Sequence, residues 1–250
     1  FTGLIFPSRT GFSRALLVTT DKLTCFCATT VVAESEGVRD DLRLVNVPCN
    51  DIRIIGSGNI AGVDEVFFKP VSRSVKTAKR LQLGIPSDAF VFCYVGRLNS
   101  EKGISELIQA FQELTGNVYL ILAGGLDESS PLNGNDMNLI NSHPDILAAG
   151  KVNDVRTIFS ASDVNVLVSY REGFPNVILE SCSMGLPSIA TDVNGSREVI
   201  CNDETGWLIP VKNKNAVLEA MISSIDEKEK LEKLGENCRK LVIDRFRRSD

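Results

Sequence analysis

Two glutamates eight residues apart, Glu172 and Glu180, frame the part of this sequence best suited to chemistry. Glu172 follows an apolar run, and Pro175 suits the first turn of a helix that carries Glu180. Because an ionised carboxylate accepts hydrogen bonds at both oxygens, the pair could grip two hydroxyl-bearing parts of one ligand, such as a ribose and a hexose joined by a diphosphate. The spacing alone arises readily by chance among 32 acidic residues, but the strand-Glu-Gly-Phe-Pro-helix-Glu context favours a site.

Cations follow the apolar strand predicted at 89–95. Gly96 ends that strand and lets backbone approach a ligand closely. Arg97 comes next, and Lys102 lies near a helix start, where anions are already favoured, so both could reach a diphosphate. The alternative is a solvated turn in which these cations pair with Glu101 or Glu106.

Two other features carry less information. The turn at 191–198 contains Gly195, which could admit a phosphate to the backbone, but a plain strand-turn-helix connection explains it equally well. His143, the only histidine, lies in a polar loop with no motif around it. We interpret it as a surface residue.

Strand and helix patterns alternate regularly from residue 72 onward. Nearly continuous apolar runs are typical of parallel strands buried on both faces, and the repeated alternation predicts a doubly wound α/β domain. The predicted strands are 89–95, 118–123, 145–149, 164–169, 187–191 and a short one near 207–210. Ligands bind beyond the carboxyl ends of such strands, so the loops of interest are 96–103, 124–128, 150–154 and 171–175.

The first 60 residues predict a separate unit. Helices at 13–26 and near 36–44 alternate with short apolar runs at 30–33 and 51–55. A turn-rich linker follows, and we place a domain boundary that gives units 1–60 and 61–250. Since the sequence begins at Phe1, without a methionine or a signal pattern, we expect it to be the interior of a longer protein.

Composition excludes several functional classes. A net charge of -5 argues against a nucleic-acid partner, and no apolar stretch approaches the ~20 residues of a membrane span. Seven cysteines, mostly within apolar runs, fit reduced thiols rather than a disulfide framework. We therefore expect a cytoplasmic protein.

The motifs together resemble the family 4 retaining glycosyltransferases of the GT-B fold, over the chain from about residue 30 onward. They lie at 95–103, 123–125, 150–152, 171–180, 184–187, 194–198 and 205–208. The resemblance implies two Rossmann-like domains with the active site between them, of which this chain holds the C-terminal domain and the end of the N-terminal one. The sequence at 171–179 and 185–192 is similar to that of bacterial members that build capsular, O-antigen or related polysaccharides on a lipid carrier.

The resemblance also implies residue roles. Arg97 and Lys102 would hold the donor diphosphate and stabilise it as it leaves. Glu172, with backbone groups of Gly173 and Phe174, would hold the transferred sugar, and Glu180 would hold the ribose hydroxyls. Three further groups of residues are expected to bind the donor. They are the glycines of two turns, Gly96 and Gly124, the loop that borders the base, with Val152 and Asn153, and Pro175 at the start of the helix that carries Glu180.

The implied reaction transfers a hexose from a UDP- or GDP-sugar to a glycan or lipid-linked acceptor with retention of anomeric configuration. No metal or other cofactor is expected, and the absent N-terminal residues leave room for peripheral contact with the inner face of the plasma membrane. Two alternatives stay open: a related GT-B enzyme such as a nucleotide-sugar epimerase, and a non-catalytic GT-B partner module. Without its acceptor-side half, the chain is expected to bind donor weakly and transfer little.

Overall fold

The computed structural model describes residues 1–49, 51–59 and 61–248. The N-terminal part contains α1 (Gly11–Cys27), β1 (Val31–Ala33), α2 (Glu36–Leu44) and β2 (Ile52–Ile54). β1 and β2 pair in parallel as a two-stranded sheet with its own apolar cluster. The boundary predicted after residue 60 adjoins a residue outside the described ranges and stays a prediction.

A second, larger sheet has six strands: β3 (Phe90–Val95), β4 (Val118–Ala123), β5 (Ile146–Gly150), β6 (Val164–Leu167), β7 (Ser188–Thr191) and β8 (Gly206–Ile209). Their order is β5-β4-β3-β6-β7-β8, and every neighbouring pair is parallel. The strand order reverses between β3 and β6. In doubly wound sheets a ligand crevice opens at this switch point, beyond the carboxyl ends of the strands.

Helices surround the large sheet: α3 (Arg73–Gln82), α4 (Ile104–Phe111), α5 (Gly134–Ser142), α6 (Arg156–Ala161), α7 (Asn176–Ser183), α8 (Ser196–Val199), α9 (Lys214–Asp226) and α10 (Leu231–Arg245). Alternate side chains of β3 enter different apolar clusters, with Phe92 and Tyr94 in one and Val91 and Cys93 in the other. The sheet is therefore buried on both faces, as its apolar runs predict. In the described ranges, no helix combines the length and apolarity that a bilayer span requires.

Two helices escaped the sequence patterns. α3 carries a dense set of lysines and arginines and buries only Arg80, so no apolar stripe marks it. α5 begins with Gly134, and the Asn133 side chain caps it by accepting from Asp136 N. A 3-10 turn, Lys228–Lys230, directly precedes α10.

Candidate active site

The loops that follow β3 and β6 are joined beyond the ends of their strands. Tyr170 N donates to Glu101 O at 2.9 Å, and the Arg171 guanidinium donates to the Glu101 carboxylate at 2.8 Å. Gly103 makes this approach possible, because a Cβ there would lie 2.2 Å from the carbonyl oxygen of Val168. The backbone therefore brings together the two loops that carry the candidate residues.

Lys102 and Glu172 form the central ion pair of this junction. The Lys102 Nζ atom lies 2.5 Å from Glu172 Oε1, and the two side chains are only 22% and 14% exposed. Because both groups are largely removed from water, each charge depends on the other for compensation. The alternative pairing of Lys102 with Glu101 or Glu106 is wrong.

Arg97 also pairs with a carboxylate outside the predicted set. Its guanidinium donates to Asp127 Oδ2 at 2.6 Å, and Asn99 Nδ2 donates to the same oxygen at 3.1 Å. Hydrogen bonds from Ser129 and Asn99, with the charge of Arg97, lower the pKa of Asp127 to about 2. The Arg97 side chain remains 70% exposed, so most of its five N–H donors stay available to a ligand.

Asn99 organises the loop between Arg97 and Lys102. It is buried, and its Oδ1 atom accepts from Lys102 N at 3.1 Å, which caps a short 3-10 helix, Ser100–Lys102. Its amide nitrogen binds Asp127 at the same time. Asn99 therefore fixes the loop that presents both cations.

A cleft of 180 Å³ lies at this junction. It is lined by the predicted Arg97, Lys102, Glu172 and Gly173, by Asn99, Glu101 and Arg171, and by Thr2, Gly3 and Leu4 from the N-terminal part. A second cleft of 290 Å³ shares Leu4, Arg171 and Glu172 and extends toward Asp41 and Arg197. Both N-terminal and C-terminal segments therefore contribute to the walls.

The site loop, which we define as residues 171–175, leads into α7. Phe174 is 6% exposed and packs edge-on against Phe246, with ring centroids 5.4 Å apart, so only its backbone is available to a ligand. Pro175 is the N-cap residue of α7 rather than part of its first turn, which begins at Asn176. Pro175 therefore directly precedes the first turn of α7 instead of lying within it.

Glu180 lies half-buried on α7. Burial raises the pKa of its carboxyl to about 7, with no cation among the described residues to offset the effect. A carboxylate in this state gains from hydroxyl donors supplied by a ligand, since these would stabilise its charged form.

Glycines at the ends of β3 and β4 allow the two strand ends to pack closely. A Cβ at Gly124 would lie 1.7 Å from the carbonyl oxygen of Gly96, and one at Gly96 would lie 2.7 Å from the Tyr94 hydroxyl oxygen. Each glycine thus has a packing role in the structure. Their donor-binding role stays a prediction.

The remaining predicted residues lie outside the 180 Å³ cleft. Val152 is partly buried and packs against the apolar cluster on one sheet face, while Asn153 is exposed in the loop after β5. Gly124, Pro175 and Glu180 are also absent from the lining of this cleft. The structure therefore groups the predicted cations with Glu172 and leaves the base-binding role of the β5 loop a prediction.

A larger cavity of 710 Å³ lies at the opposite edge of the sheet, where β3 and β4 begin. Its buried Arg80 and its neighbour Lys76 are both bound to Asp163, at 2.6 Å each, so these charges are satisfied within the protein. Ligands of doubly wound sheets bind at the carboxyl ends instead. We therefore place the candidate site in the smaller cleft despite the difference in volume.

His143 has a structural environment away from the cleft. Its ring lies edge-on to Phe111 at 5.4 Å, and its Nδ1 atom accepts from Asp145 N just before β5 begins. It is half-buried rather than fully on the surface. Within the described ranges, no group of three His, Cys, Asp or Glu side chains is arranged to hold a metal ion.

Three carboxylates near the site were not singled out by the sequence. Asp127 lies in a loop predicted to matter, but nothing in its spacing revealed the bond to Arg97. Glu34 follows β1, and its Oε2 atom would lie 2.9 Å from a Cβ at Gly173; burial raises its pKa, and the charge of Glu172 adds to this. Glu198 accepts hydrogen bonds from the start of α2. All three depend on contacts between distant segments.

Comparison with known proteins identifies the family. Residues 75–241 match the family described as Glycosyl transferases group 1. The chain belongs to this family. It is 29% identical, over 98% of its length and 64% of the relative's, to the capsular polysaccharide biosynthesis glycosyltransferase CapM of Staphylococcus aureus.

A second relative is the Escherichia coli UDP-Gal:alpha-D-GlcNAc-diphosphoundecaprenol alpha-1,3-galactosyltransferase. It is 31% identical over 74% of this chain and 49% of its own length. The chain thus spans less than two thirds of either relative. These matches confirm the resemblance to bacterial surface-polysaccharide glycosyltransferases.

Solved structures confirm the GT-B fold expected for this family member. Anabaena Alr3699/HepE, crystallised with UDP and glucose, superimposes with a TM-score of 0.81 at 21% identity, covering 93% of this chain and 63% of that one. WaaG, a glycosyltransferase involved in lipopolysaccharide biosynthesis, gives 0.78 at 18% identity, covering 98% and 67%. At these identities the likeness concerns the fold.

Proposed function

We propose that the protein transfers a hexose from a nucleotide-diphosphate sugar to a glycan or lipid-linked acceptor during synthesis of a bacterial surface polysaccharide. The observation that carries this proposal is the junction of Arg97, Lys102 and Glu172 at the switch point of the sheet. Membership of the group 1 glycosyl transferases supports it, as do relatives named for capsular polysaccharide synthesis and galactosyl transfer.

The two cations are suited to a leaving diphosphate. Lys102 ends the short 3-10 helix just before α4, and Arg97 is exposed in the same loop, so an anion in the cleft would meet both side chains. As the bond between the sugar and the diphosphate breaks, negative charge grows on the departing oxygen. Preorganised cations stabilise that charge without reorganisation at the moment of reaction.

Diphosphate binding must alter the ion pair of Lys102. In this structure Lys102 compensates the charge of Glu172 at 2.5 Å. We infer that an incoming diphosphate shares the ammonium group, while sugar hydroxyls donate to the Glu172 carboxylate in its place. In both the free and the donor-bound state, the charges of Lys102 and Glu172 would thus have partners, and no buried charge would be left unpaired.

Glu180 would hold the ribose. Its raised pKa, about 7, reflects burial, and two ribose hydroxyls would supply the donors that favour its ionised form. The loop after β5, with Val152 and Asn153, would border the base. UDP and GDP remain the two donor nucleotides to be distinguished by experiment.

We further propose retention of anomeric configuration without a metal. The acceptor oxygen would attack the anomeric carbon from the face that the diphosphate leaves, and its proton would pass to a departing phosphate oxygen. Arg97 and Lys102 then supply the positive charge at the diphosphate. The acceptor would enter from the side of the N-terminal segments, where Leu4 and Asp41 line the second cleft.

Calorimetric titration of the chain with UDP, GDP, UDP-sugars and GDP-sugars, in the presence and absence of EDTA, tests the proposal. We expect saturable binding by one nucleotide class, unchanged by EDTA. A failure of every nucleotide sugar to bind would contradict a donor site and would favour a non-catalytic GT-B module.

A further inference from the structure

The start of α2 is held by a carboxylate that lies 162 residues later in the sequence. Glu198 accepts hydrogen bonds from Glu36 N and Gly37 N, both at 3.0 Å. Ser35 completes the cap, since its hydroxyl accepts from Val38 N at 3.1 Å. The first N–H groups of a helix have no partners within it, and the helix dipole adds positive charge there, so a carboxylate fits this position well.

A second contact joins the same two segments. Asn194 Nδ2 donates to Asp41 Oδ2 on α2 at 2.7 Å. Gly37 leaves the space that Asn194 occupies, because a Cβ at Gly37 would lie 2.4 Å from Asn194 Oδ1. The segment of residues 192–198, which includes the start of α8, is therefore bound to two successive turns of α2.

The same segment, 192–198, also packs against the site loop. Gly195 has a φ of +74°, and a Cβ there would lie 2.6 Å from the carbonyl oxygen of Gly173 and 2.7 Å from the Cα of Phe174. Residues 192–198 thus lie between α2 and the loop that carries Glu172. Because this packing leaves no room for independent movement, a shift of α2 would be transmitted to the site loop.

We propose that Glu198 is a positioning residue that clamps the start of α2 against the site loop and so sets the geometry of the cleft. The clamp also fixes Glu34, which precedes the Ser35 cap and places its carboxylate beside Gly173. The clamp itself is independent of any ligand; its coupling to nucleotide binding rests on the proposed function.

Hydrogen exchange of the backbone amides measures the clamp directly. In Glu198→Ala, the amides of Glu36 and Gly37 should exchange about tenfold to a hundredfold faster, as expected for loss of charge-assisted hydrogen bonds. Glu198→Gln, which keeps one acceptor oxygen, should give an intermediate increase. Glu204→Gln changes an exposed carboxylate on the following loop and is the matched control, with exchange at α2 unchanged.

A variant on the α2 side separates the clamp from helix stability. Gly37→Ala favours the helix intrinsically but displaces Asn194 from its bond to Asp41. Unchanged thermal midpoints together with faster exchange confined to residues 36–38 and to the amides of Gly173 and Phe174 would support the clamp. Unchanged exchange at α2 in Glu198→Ala would overturn it.

Nucleotide coupling provides the readout that a merely structural residue would not affect. The titrations above identify the nucleotide that binds, and that nucleotide should slow exchange at the start of α2 in the wild type. By reciprocity, Glu198→Ala should lose this slowing and bind the nucleotide more weakly by the same factor. If the nucleotide still slows exchange in Glu198→Ala, the coupling is overturned. If the wild type binds no nucleotide, the proposed function is refuted. The clamp is then tested by the exchange rates of the variants without nucleotide.

Discussion

The ammonium group of Lys102 and the carboxylate of Glu172 lie 2.5 Å apart although 70 residues separate them in the sequence. The pair joins the loops that follow β3 and β6, at the point where the strand order of the sheet reverses. Its two side chains are mostly shielded from water, so the protein holds a compensated pair of charges where the donor is proposed to bind.

Lys102→Ala should reduce the transfer rate of the whole protein by about 10²–10³-fold, because it removes a preorganised charge from the leaving group. The same change should destabilise the fold by about 1–3 kcal/mol, since it leaves Glu172 without its partner. Urea unfolding of this chain checks the second effect, and a radiolabelled-sugar assay of the whole protein checks the first.

A matched set of variants makes the Lys102 result specific. Lys233→Ala removes a side chain that is 73% exposed and should change neither the transfer rate nor the free energy of unfolding appreciably. The double variant Lys102→Met with Glu172→Gln removes both charges and should recover part of the lost stability. Equal destabilisation by the single and double variants would contradict a compensated pair.

Glu180→Gln should stabilise the fold at alkaline pH and weaken donor binding. The folded-state pKa is raised to about 7 from an ordinary value of 4.5, so the folded protein binds more protons between these values. Wild-type stability therefore falls as pH rises from about 4.5 to about 7, and the full penalty, on the order of 1–3 kcal/mol, applies above that window.

Glutamine carries no such charge, so the difference in unfolding free energy between Glu180→Gln and the wild type should grow across that window and then level off. Denaturant unfolding at pH 5 and pH 8 measures it. Donor KM should rise in the variant because the ribose contact is similar in ground and transition states. A pH-independent difference in unfolding free energy would contradict the raised pKa of Glu180. An unchanged donor KM would remove its role in binding the ribose.

Gly124→Ala should destabilise the fold by about 1–3 kcal/mol, because its Cβ would lie 1.7 Å from the carbonyl oxygen of Gly96 and backbone must move. Gly125→Ala is the matched control, since no atom lies within 4 Å of the added Cβ. Urea denaturation should show a shifted midpoint for the first variant alone. Equal midpoints would mean that the strand ends are not packed as described.

The sequence predicts the large sheet well because its strands are buried on both faces. The 118–123 run coincides with β4, and the predictions for the other five strands of this sheet differ by one or two residues at their ends. α3 and α5 were missed because α3 is dominated by charge and α5 begins with glycine and asparagine. Neither shows the apolar stripe that predicts an amphipathic helix.

The candidate site is only partly readable from the sequence. Arg97, Lys102 and Glu172 follow strands whose carboxyl ends meet, so their grouping could be anticipated. The contact of Asp127 with Arg97 and that of Glu198 with α2 could not be anticipated. Both depend on how loops from distant strands and the N-terminal part pack together. The spacing of residues along the sequence does not predict those contacts.

The most direct test is a crystal structure of this chain with the nucleotide diphosphate identified by titration. The account predicts the diphosphate beyond the ends of β3 and β6, within about 3 Å of Lys102 Nζ and the Arg97 guanidinium, with the ribose at Glu180. A nucleotide bound in the cavity at the opposite edge of the sheet, or a diphosphate that contacts neither cation, would contradict it.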